Sequence, residues 1–418
     1  MAIWTRTVFA VGVGLLAAAC STTTPGTAPG TGPAAHDKTV THQAVAPAVS
    51  ATPGTRPGAA TGLAHSALLS TSWVNATQGW ALAAQPCGGG TCARLARTTD
   101  AGRHWQRLPD PPAAVLGGTV DCLAARACVS QVSFASPAIG YLYGPSLLMT
   151  TDGGLTWHAR PGLETETLTI AGGQAYRVAY TSGGCPGPCR PSLQEAPVGS
   201  ASWRTLIARL VEPDRSGSAQ IAVSGPDVLV AMYGSLAGPV LAQADVYRSA
   251  DGGGTWRQAD DPCGPSPRGP GLGGPGAEKD LIGLAAPPGG FVAGLCITRA
   301  TMGTFVITST DAGATWRATT ARPPGQGLGF ITAASPATIA IASGATGGSG
   351  AYTARLLVTT DGGRRWVTVA TDTQDLAADG APAWAGFETT LAGQWLGDPH
   401  GVWTTADGGL RWTRTAFR

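Results

Sequence analysis

One octapeptide recurs along the chain and limits what the chain can fold into. Its pattern is Ser or Thr, any residue, Asp, any residue, Gly, two further residues and Trp. Six copies occur, and their Asp and Trp residues are Asp100 and Trp105, Asp152 and Trp157, Asp251 and Trp256, Asp311 and Trp316, Asp361 and Trp366, and Asp407 and Trp412. A pattern repeated this often indicates one structural unit that is used many times.

The spacing of the octapeptide tryptophans indicates a seventh unit. Successive intervals are 52, 99, 60, 50 and 46 residues, so the interval of 99 is about two periods. Trp203 lies near the middle of that interval, at the end of residues 196–203. The Asp is absent there, but the Trp and a turn of small residues remain. We interpret this segment as a degenerate copy.

Each unit of roughly 50 residues contains four short apolar runs separated by turns. In the second unit, residues 128–134 and 140–143 are the first two runs, residues 147–149 lead into the octapeptide, and the fourth run begins at its Trp. Short apolar runs between turn residues predict strands. Four-stranded units arranged around a ring form a β-propeller. The sequence therefore predicts an all-β fold, a seven-bladed β-propeller with four-stranded blades, over residues 64–418.

The residue types of the octapeptide suit a tight turn. An Asp side chain can accept hydrogen bonds from backbone amides a few residues ahead. Glycine adopts the positive φ that such a turn requires. The Trp offers a large apolar face that can cover the hairpin. We therefore predict that the Asp and Trp residues of the copies stabilise the fold and do not bind a ligand.

These octapeptides resemble the Asp-box, or BNR, propeller superfamily. That group includes sialidases, xyloglucan-type glucanases, the sortilin ectodomain and photosystem II stability/assembly factor-like proteins. The resemblance covers about residues 64–418 and implies the fold. In sialidases the boxes lie on the rim of the propeller, away from catalysis, which implies structural roles for the box residues here. The count of seven blades most resembles the assembly factor-like group.

The residues of a sialidase site cannot be placed in this chain. The family's Arg-Ile-Pro precedes the first box, whereas the nearest match, Arg107-Leu-Pro109, follows it. Sialidases have six blades. Glycoside hydrolysis otherwise needs two carboxylates at one site, and no pair is recognisable among the glutamates of the repeats. Glu388 lies between the first two strands of blade 7, where it is either a solvated turn residue or a group that faces the central channel.

We therefore expect a non-enzymatic binding or assembly module with an unknown protein or glycan ligand. A glycoside hydrolase, sialidase-like or glucanase-like, is the alternative. No metal, cofactor or catalytic residue is predicted. Charged residues make up 12% of the chain and the net charge is +2, so no basic surface indicates nucleic acid. We expect a monomer.

The N-terminal residues indicate an export signal. Residues 1–19 carry Arg6, an apolar segment and small residues before Cys20, which resembles a lipoprotein signal peptide. The family's usual Leu three places before the cysteine is Ala17 here, and cleavage as an ordinary secretory signal near Ala19 is the alternative. Residues 20–63, rich in Thr, Pro, Ala and Gly, predict a disordered tether. We expect the protein outside the cytoplasm, anchored to the membrane by lipid on Cys20.

Eight cysteines remain after Cys20, an even number. Six of them form three close pairs in sequence, and in an exported chain such pairs indicate disulfides. The predicted disulfides are Cys87–Cys92, Cys122–Cys128, Cys185–Cys189 and Cys263–Cys296. A metal site at Cys185 and Cys189 is the alternative for that pair, although the spacing is not the usual Cys-x-x-Cys.

Overall fold

The computed structural model describes most of the predicted propeller. The described residues are 50–51, 56–57, 63, 66–87, 90–115, 128–160, 162–180, 191–211, 218–233, 244–264, 279–287, 289–298, 301–325, 329–346, 351–375, 384–398 and 400–417. The predicted signal peptide, Cys20, Cys122, Cys185 and Cys189 lie outside these ranges. Within them, no helix is long and apolar enough to cross a membrane.

The first strands belong to the tether region and to blades 1–3. Two short strands come first, β1 (Ser50–Ala51) and β2 (Arg56–Pro57). Blade 1 contains β3 (Ala67–Trp73), β4 (Gly79–Cys87), β5 (Gly90–Thr98), β6 (Gln106–Arg107), β7 (Ala114–Val115) and β8 (Cys128–Val129). Blade 2 contains β9 (Gln131–Phe134), β10 (Gly140–Tyr143), β11 (Leu148–Thr150) and β12 (His158–Ala159). Blade 3 contains β13 (Glu164–Ala171), β14 (Gln174–Tyr180), β15 (Ser192–Pro197) and β16 (Arg204–Ile207).

Blades 4–7 each contain four strands. Blade 4 consists of β17 (Ser218–Ser224), β18 (Asp227–Tyr233), β19 (Asp245–Ser249) and β20 (Arg257–Ala259). Blade 5 consists of β21 (Lys279–Ala285), β22 (Val292–Thr298), β23 (Gly303–Ser309) and β24 (Arg317–Ala318). Blade 6 consists of β25 (Gly329–Ala333), β26 (Ile339–Thr346), β27 (Ala351–Thr359) and β28 (Val367–Asp375). Blade 7 consists of β29 (Trp384–Phe387), β30 (Gly393–Asp398), β31 (Gly401–Thr405) and β32 (Arg411–Ala416).

The predicted seven-bladed propeller is confirmed. The described strands form seven sheets, and the first four strands of each blade pair antiparallel in the order first, second, third, fourth. The first strands of successive blades contact one another and line the central channel. Side chains also bridge them: the Val132 amide donates to Ser70 Oγ at 3.3 Å, and Thr169 Oγ1 donates to the Ile221 carbonyl at 3.1 Å.

The core is divided among the seams between neighbouring blades. Each of seven apolar clusters joins two adjacent sheets. Each seam also receives the tryptophan of the blade on its C-terminal side, or of blade 1 where the ring closes: Trp157, Trp203, Trp256, Trp316, Trp366, Trp412 and Trp105. Trp203 therefore packs as the other six do, although its segment lacks the Asp. This confirms that the degenerate copy belongs to a blade.

The ring closes between blades 7 and 1 by side-chain packing, and a strap from the N-terminal region pairs with the outer strand of blade 7. Phe417 lies 5.4 Å from Trp105 between ring centroids, and Leu63 is buried in the same seam. Within the predicted tether, β1 and β2 pair in parallel with β32, so that Ser50 faces Arg411 and Arg56 faces Thr415. The outer strand of a blade has an unpaired edge, which these two segments cover.

Candidate functional site

The channel has one end at which the first strand of every blade finishes. We call it the Glu388 end, after the residue that follows β29. Two cavities open there. The larger, of about 490 Å³, is lined by residues of β3, β9 and β13 and by Phe387 and Glu388. The smaller, of about 270 Å³, lies along the ends of β21 and β25 and is also lined by Phe387 and Glu388.

Glu388 therefore stands where the two cavities meet. Its amide donates to the Ala392 carbonyl at 3.1 Å, which closes the turn after β29. Gln394 Nε2 donates to its carboxyl group. Burial raises the pKa of Glu388 to about 8, so the group is protonated at neutral pH. Of the two interpretations left open by the sequence, the structure supports the channel-facing one.

The described lining around Glu388 is rich in hydroxyl groups. The larger cavity contains six hydroxyl side chains, Ser70, Thr71, Ser72, Ser133, Tyr143 and Thr169. Trp73, Phe134 and Phe387 also line it. Among the described residues that line either cavity, Glu388 is the one that carries a charge when ionised, and none is Lys, Arg or His. The site can thus offer hydrogen bonds and a single acid.

Three buried polar atoms near Glu388 have no hydrogen-bond partner. They are Thr71 Oγ1, Trp73 Nε1 and Gln394 Oε1, in side chains that are 2%, 6% and 2% exposed. Thr71 and Trp73 also line the larger cavity. Buried polar atoms are nearly always paired. Unpaired polar atoms of residues that line a cavity can be satisfied there by a ligand or by ordered water.

The octapeptide acids form turns, as their residue types predicted. Thr150 Oγ1 donates to Asp152 Oδ1 at 2.7 Å, and the Gly154 amide donates to Thr150 Oγ1 at 3.0 Å. Hydrogen bonds from the Thr156 hydroxyl and amide lower the pKa of Asp152 to about 2. These turns join the third and fourth strands, in the outer part of each blade. The carboxylates are engaged by their own turns.

The octapeptide turns also support the channel end. In all seven blades, an amide of the turn between the third and fourth strands donates to a carbonyl of the turn between the first and second. In blade 7, the Gly408 amide bonds the Leu391 carbonyl at 2.8 Å. In blade 3, the Val198 amide of the degenerate copy bonds the Gly173 carbonyl at 3.0 Å. The octapeptide of blade 7 thus braces the turn that contains Glu388.

Blade 3 replaces the missing Asp turn with side-chain contacts that the sequence did not reveal. The guanidinium of Arg177 lies over the Trp203 ring, and burial lowers the pKa of Arg177 to about 10. Tyr141 Oη accepts a hydrogen bond from the Gly199 amide at 2.7 Å. These contacts bind the degenerate turn to the seam with blade 2. No repeat pattern marks Arg177, because its partners come from separate strands.

The predicted cysteine pairs are found in part among the described residues. Cys87 is bonded to Cys92, and Cys263 is bonded to Cys296. The second bond joins the end of blade 4 to β22 of blade 5. Cys128 is also disulfide-bonded, and its predicted partner Cys122 lies outside the described residues. The described residues include no cluster of three side chains suited to a metal ion.

A second buried acid lies apart from this site. Burial raises the pKa of Glu166, near the start of β13. The cavity-lining residues of that strand are Thr169 and Ile170, toward its end. Glu166 therefore does not share a cavity with Glu388.

Comparison with known proteins finds similarity to solved structures at low sequence identity. No protein-family model and no curated protein matches its sequence. Similar solved structures include YCF48 bound to a D1 peptide, with 17% identity and a TM-score of 0.49 over 82% of this chain and 94% of that one. A GH74 enzyme of Niastella koreensis has 12% identity and a TM-score of 0.30 over 83% and 71% of the two chains. A Hadza microbial sialidase has 12% identity and a TM-score of 0.39 over 84% and 65%. Identities this low concern the fold and not the activity.

Proposed function

We propose that the protein is an exported binding module that holds its ligand at the Glu388 end of the channel and does not hydrolyse it. The observation that carries this proposal is the meeting of two cavities at a single carboxyl group. Glycoside hydrolysis generally requires two carboxylates across one site. The described residues of the two linings include no second carboxylate, and this composition supports a binding pocket.

The size and chemistry of the larger cavity support ligand binding. Pockets for small ligands commonly measure about 300–1,000 Å³, and this cavity measures about 490 Å³. A titratable group with a displaced pKa in a cleft is a recognised mark of functional sites. Glu388 is such a group, and the brace from Gly408 to Leu391 holds its turn.

A glycoside hydrolase is the second candidate, because Glu388 has one property of a catalytic acid. A general acid must be protonated at the working pH, and Glu388 meets this condition at neutral pH. The candidate lacks a second carboxylate among the described residues of the same cavity. A single protonated carboxyl can donate a proton to a leaving group but cannot also activate water on the opposite face of a sugar.

The test is direct. The purified protein is assayed with fluorogenic sialosides and a panel of β-glucosides, and in parallel it is used to capture glycans and envelope fragments. We expect no turnover and a captured ligand that is lost with Glu388→Gln. Turnover that Glu388→Gln abolishes would replace the binding proposal with the hydrolase.

We further propose that lipid on Cys20 anchors the protein to the membrane, outside the cytoplasm. The apolar segment before Cys20 and the tether after it support this placement. Disulfides persist in oxidising compartments, and two are present among the described residues. Stable anchoring takes more than one acyl chain. Cells carrying the wild type should retain the protein in membranes, whereas Cys20→Ala should release it; equal distribution of the two would contradict the anchor.

A further inference from the structure

We infer that the Glu388 end of the channel binds its ligand through a protonated primary amine, which pairs with the Glu388 carboxylate. This inference rests on the proposed function, since it names the ligand chemistry of the same site. It is carried by the shape and charge of the two cavities and by the unpaired acceptor beside Glu388.

The two cavities have an acidic lining. Among the described residues, Glu388 is the one acid that lines them, and no Lys, Arg or His does so. The other titratable residue there is Tyr143, and burial raises its pKa to about 12, so it stays neutral. Taking a carboxylate out of water without a cation is costly. When Glu388 is ionised, a positive charge on the ligand would complement it, because no described residue of the lining supplies one.

Two buried oxygen acceptors, on Thr71 and Gln394, have no hydrogen-bond partner. An ammonium group has three N–H donors and no acceptor, so it needs several oxygen atoms around it. Thr71 Oγ1 is buried, has no partner and lines the larger cavity together with Glu388. Gln394 donates through Nε2 to Glu388 and leaves Oε1 unpaired. The carboxylate and the Thr71 hydroxyl are two acceptors for one ammonium.

Trp73 adds a feature to the expected ligand. Trp73 lines the same cavity, its Nε1 is a buried donor without a partner, and an indole N–H can only donate. An amine alone would leave it unsatisfied. The ligand that fits therefore carries an oxygen acceptor, a hydroxyl or a carbonyl, near its amine. An anionic ligand fits poorly, because it would meet an acid and no cation.

Proton linkage gives the inference a signature that a neutral ligand lacks. Free Glu388 is protonated below its pKa of about 8, and pairing with an ammonium requires the carboxylate. Binding must therefore release a proton below pH 8. The affinity should rise as the pH rises toward 8, by up to about tenfold per pH unit. It should level off above pH 8, where Glu388 is already ionised.

Two sources carry this chemistry, a lysyl side chain and an amino sugar. The probes are a tripeptide with a central lysine and a glucosamine disaccharide. Each is paired with its N-acetylated counterpart, in which the nitrogen has lost its charge and carries an acetyl group. Binding to the purified protein is measured by calorimetry, with the pH series run on the lysyl peptide, whose amine stays protonated up to about pH 10. The amine that binds more tightly shows whether the ligand's amino group belongs to a lysyl side chain or to an amino sugar.

We expect at least one free amine to bind about tenfold or more tightly than its acetylated form. Glu388→Gln should remove that preference. Thr71→Val should lower the affinity for the amine by a smaller factor. Glu164→Gln is the matched control, because Glu164 begins β13 and lines neither cavity; it should bind as the wild type does. The near-ultraviolet circular dichroism of each variant checks that the propeller is intact.

Equal affinity for the amine and its acetylated form would overturn the inference, as would absence of binding by both amines or an unchanged preference in Glu388→Gln. These failures differ from failure of the proposed function. If a neutral ligand is captured at this end without turnover, the proposed binding function holds and the amine inference is wrong. Turnover lost with Glu388→Gln would reject the binding module itself.

Discussion

The guanidinium carbon of Arg177 lies 4.2 Å from the centroid of the Trp203 ring. Arg177 is only 6% exposed, and its nitrogen atoms donate to Gln194 Oε1 at 2.7 and 2.9 Å and to Thr165 Oγ1 at 3.1 Å. A cation over an aromatic face is stabilised by the ring's charge distribution. In blade 3 this contact holds the tryptophan in its seam without the Asp turn.

Arg177→Ala should therefore destabilise the protein by about 2–4 kcal/mol, because it removes the cation over Trp203 and leaves Gln194 Oε1 without a donor. The free energy of unfolding in urea measures the effect. Arg209→Ala is the control, since Arg209 is exposed and should change stability by less than about 0.5 kcal/mol. Similar small losses in both variants would mean that blade 3 does not depend on Arg177.

The octapeptide tryptophans should differ in their contribution according to burial. Trp412 is fully buried, whereas Trp316 is partly exposed in its seam. Trp412→Ala should lower the free energy of unfolding by about 3–5 kcal/mol, and Trp316→Ala by roughly 1–2 kcal/mol less. Urea unfolding of the two variants provides the comparison. The reverse order would contradict the packing of the seams.

Glu388 should make stability depend on pH in a defined direction. Its pKa is about 8 in the folded protein against an ordinary value of 4.5. Between these values the folded chain keeps a proton that the unfolded chain has lost. Stability from this group is therefore full below pH 4.5 and declines as the pH rises to 8. Unfolding in urea at pH 5, 6.5 and 8.5 should show the wild type losing stability relative to Glu388→Gln; parallel curves would mean that the acid is solvated.

The two observed disulfides should contribute unequally. Cys263–Cys296 spans 33 residues and Cys87–Cys92 spans 5. A longer closed loop restricts the unfolded chain more, so removing the first bond should cost about 3–4 kcal/mol and removing the second about 2 kcal/mol. Double Cys→Ala variants unfolded in urea provide the measurement. Peptide mapping without reduction should also find each bond, and a Cys263 bonded elsewhere would contradict the structure.

The N-terminal strap should stabilise the closed ring. A chain that begins at Ala46 retains β1 and β2, whereas one that begins at Leu63 lacks their pairing with β32. The shorter chain should unfold at a lower urea concentration, because the edge of β32 is then uncovered and its hydrogen bonds are lost. Equal midpoints would show that packing of Phe417 against Trp105 is enough to close the ring.

The repeat could be predicted because its chemistry is local. Each Asp bonds groups within four residues, as Asp152 does with Thr150 and Thr156, so every copy carries the full signature of its turn. Trp203 was found through spacing alone, and its seam position confirmed the seventh blade. What the sequence did not predict was the role of Arg177, because its partners Gln194 and Thr165 lie on the two neighbouring strands, 17 and 12 residues away, and belong to no repeated pattern.

By itself, the sequence determined the number of blades, their strand order and the place of each octapeptide turn, since these depend on residues within one repeat. Only the tertiary structure decided that Glu388 lies between two cavities with Thr71 and Trp73 nearby. Glu388 and Thr71 are separated by more than 300 residues, and they become neighbours only when blade 7 closes against blade 1. Burial and pKa depend on that closure, because desolvation comes from whatever surrounds a group and not from its place in the chain.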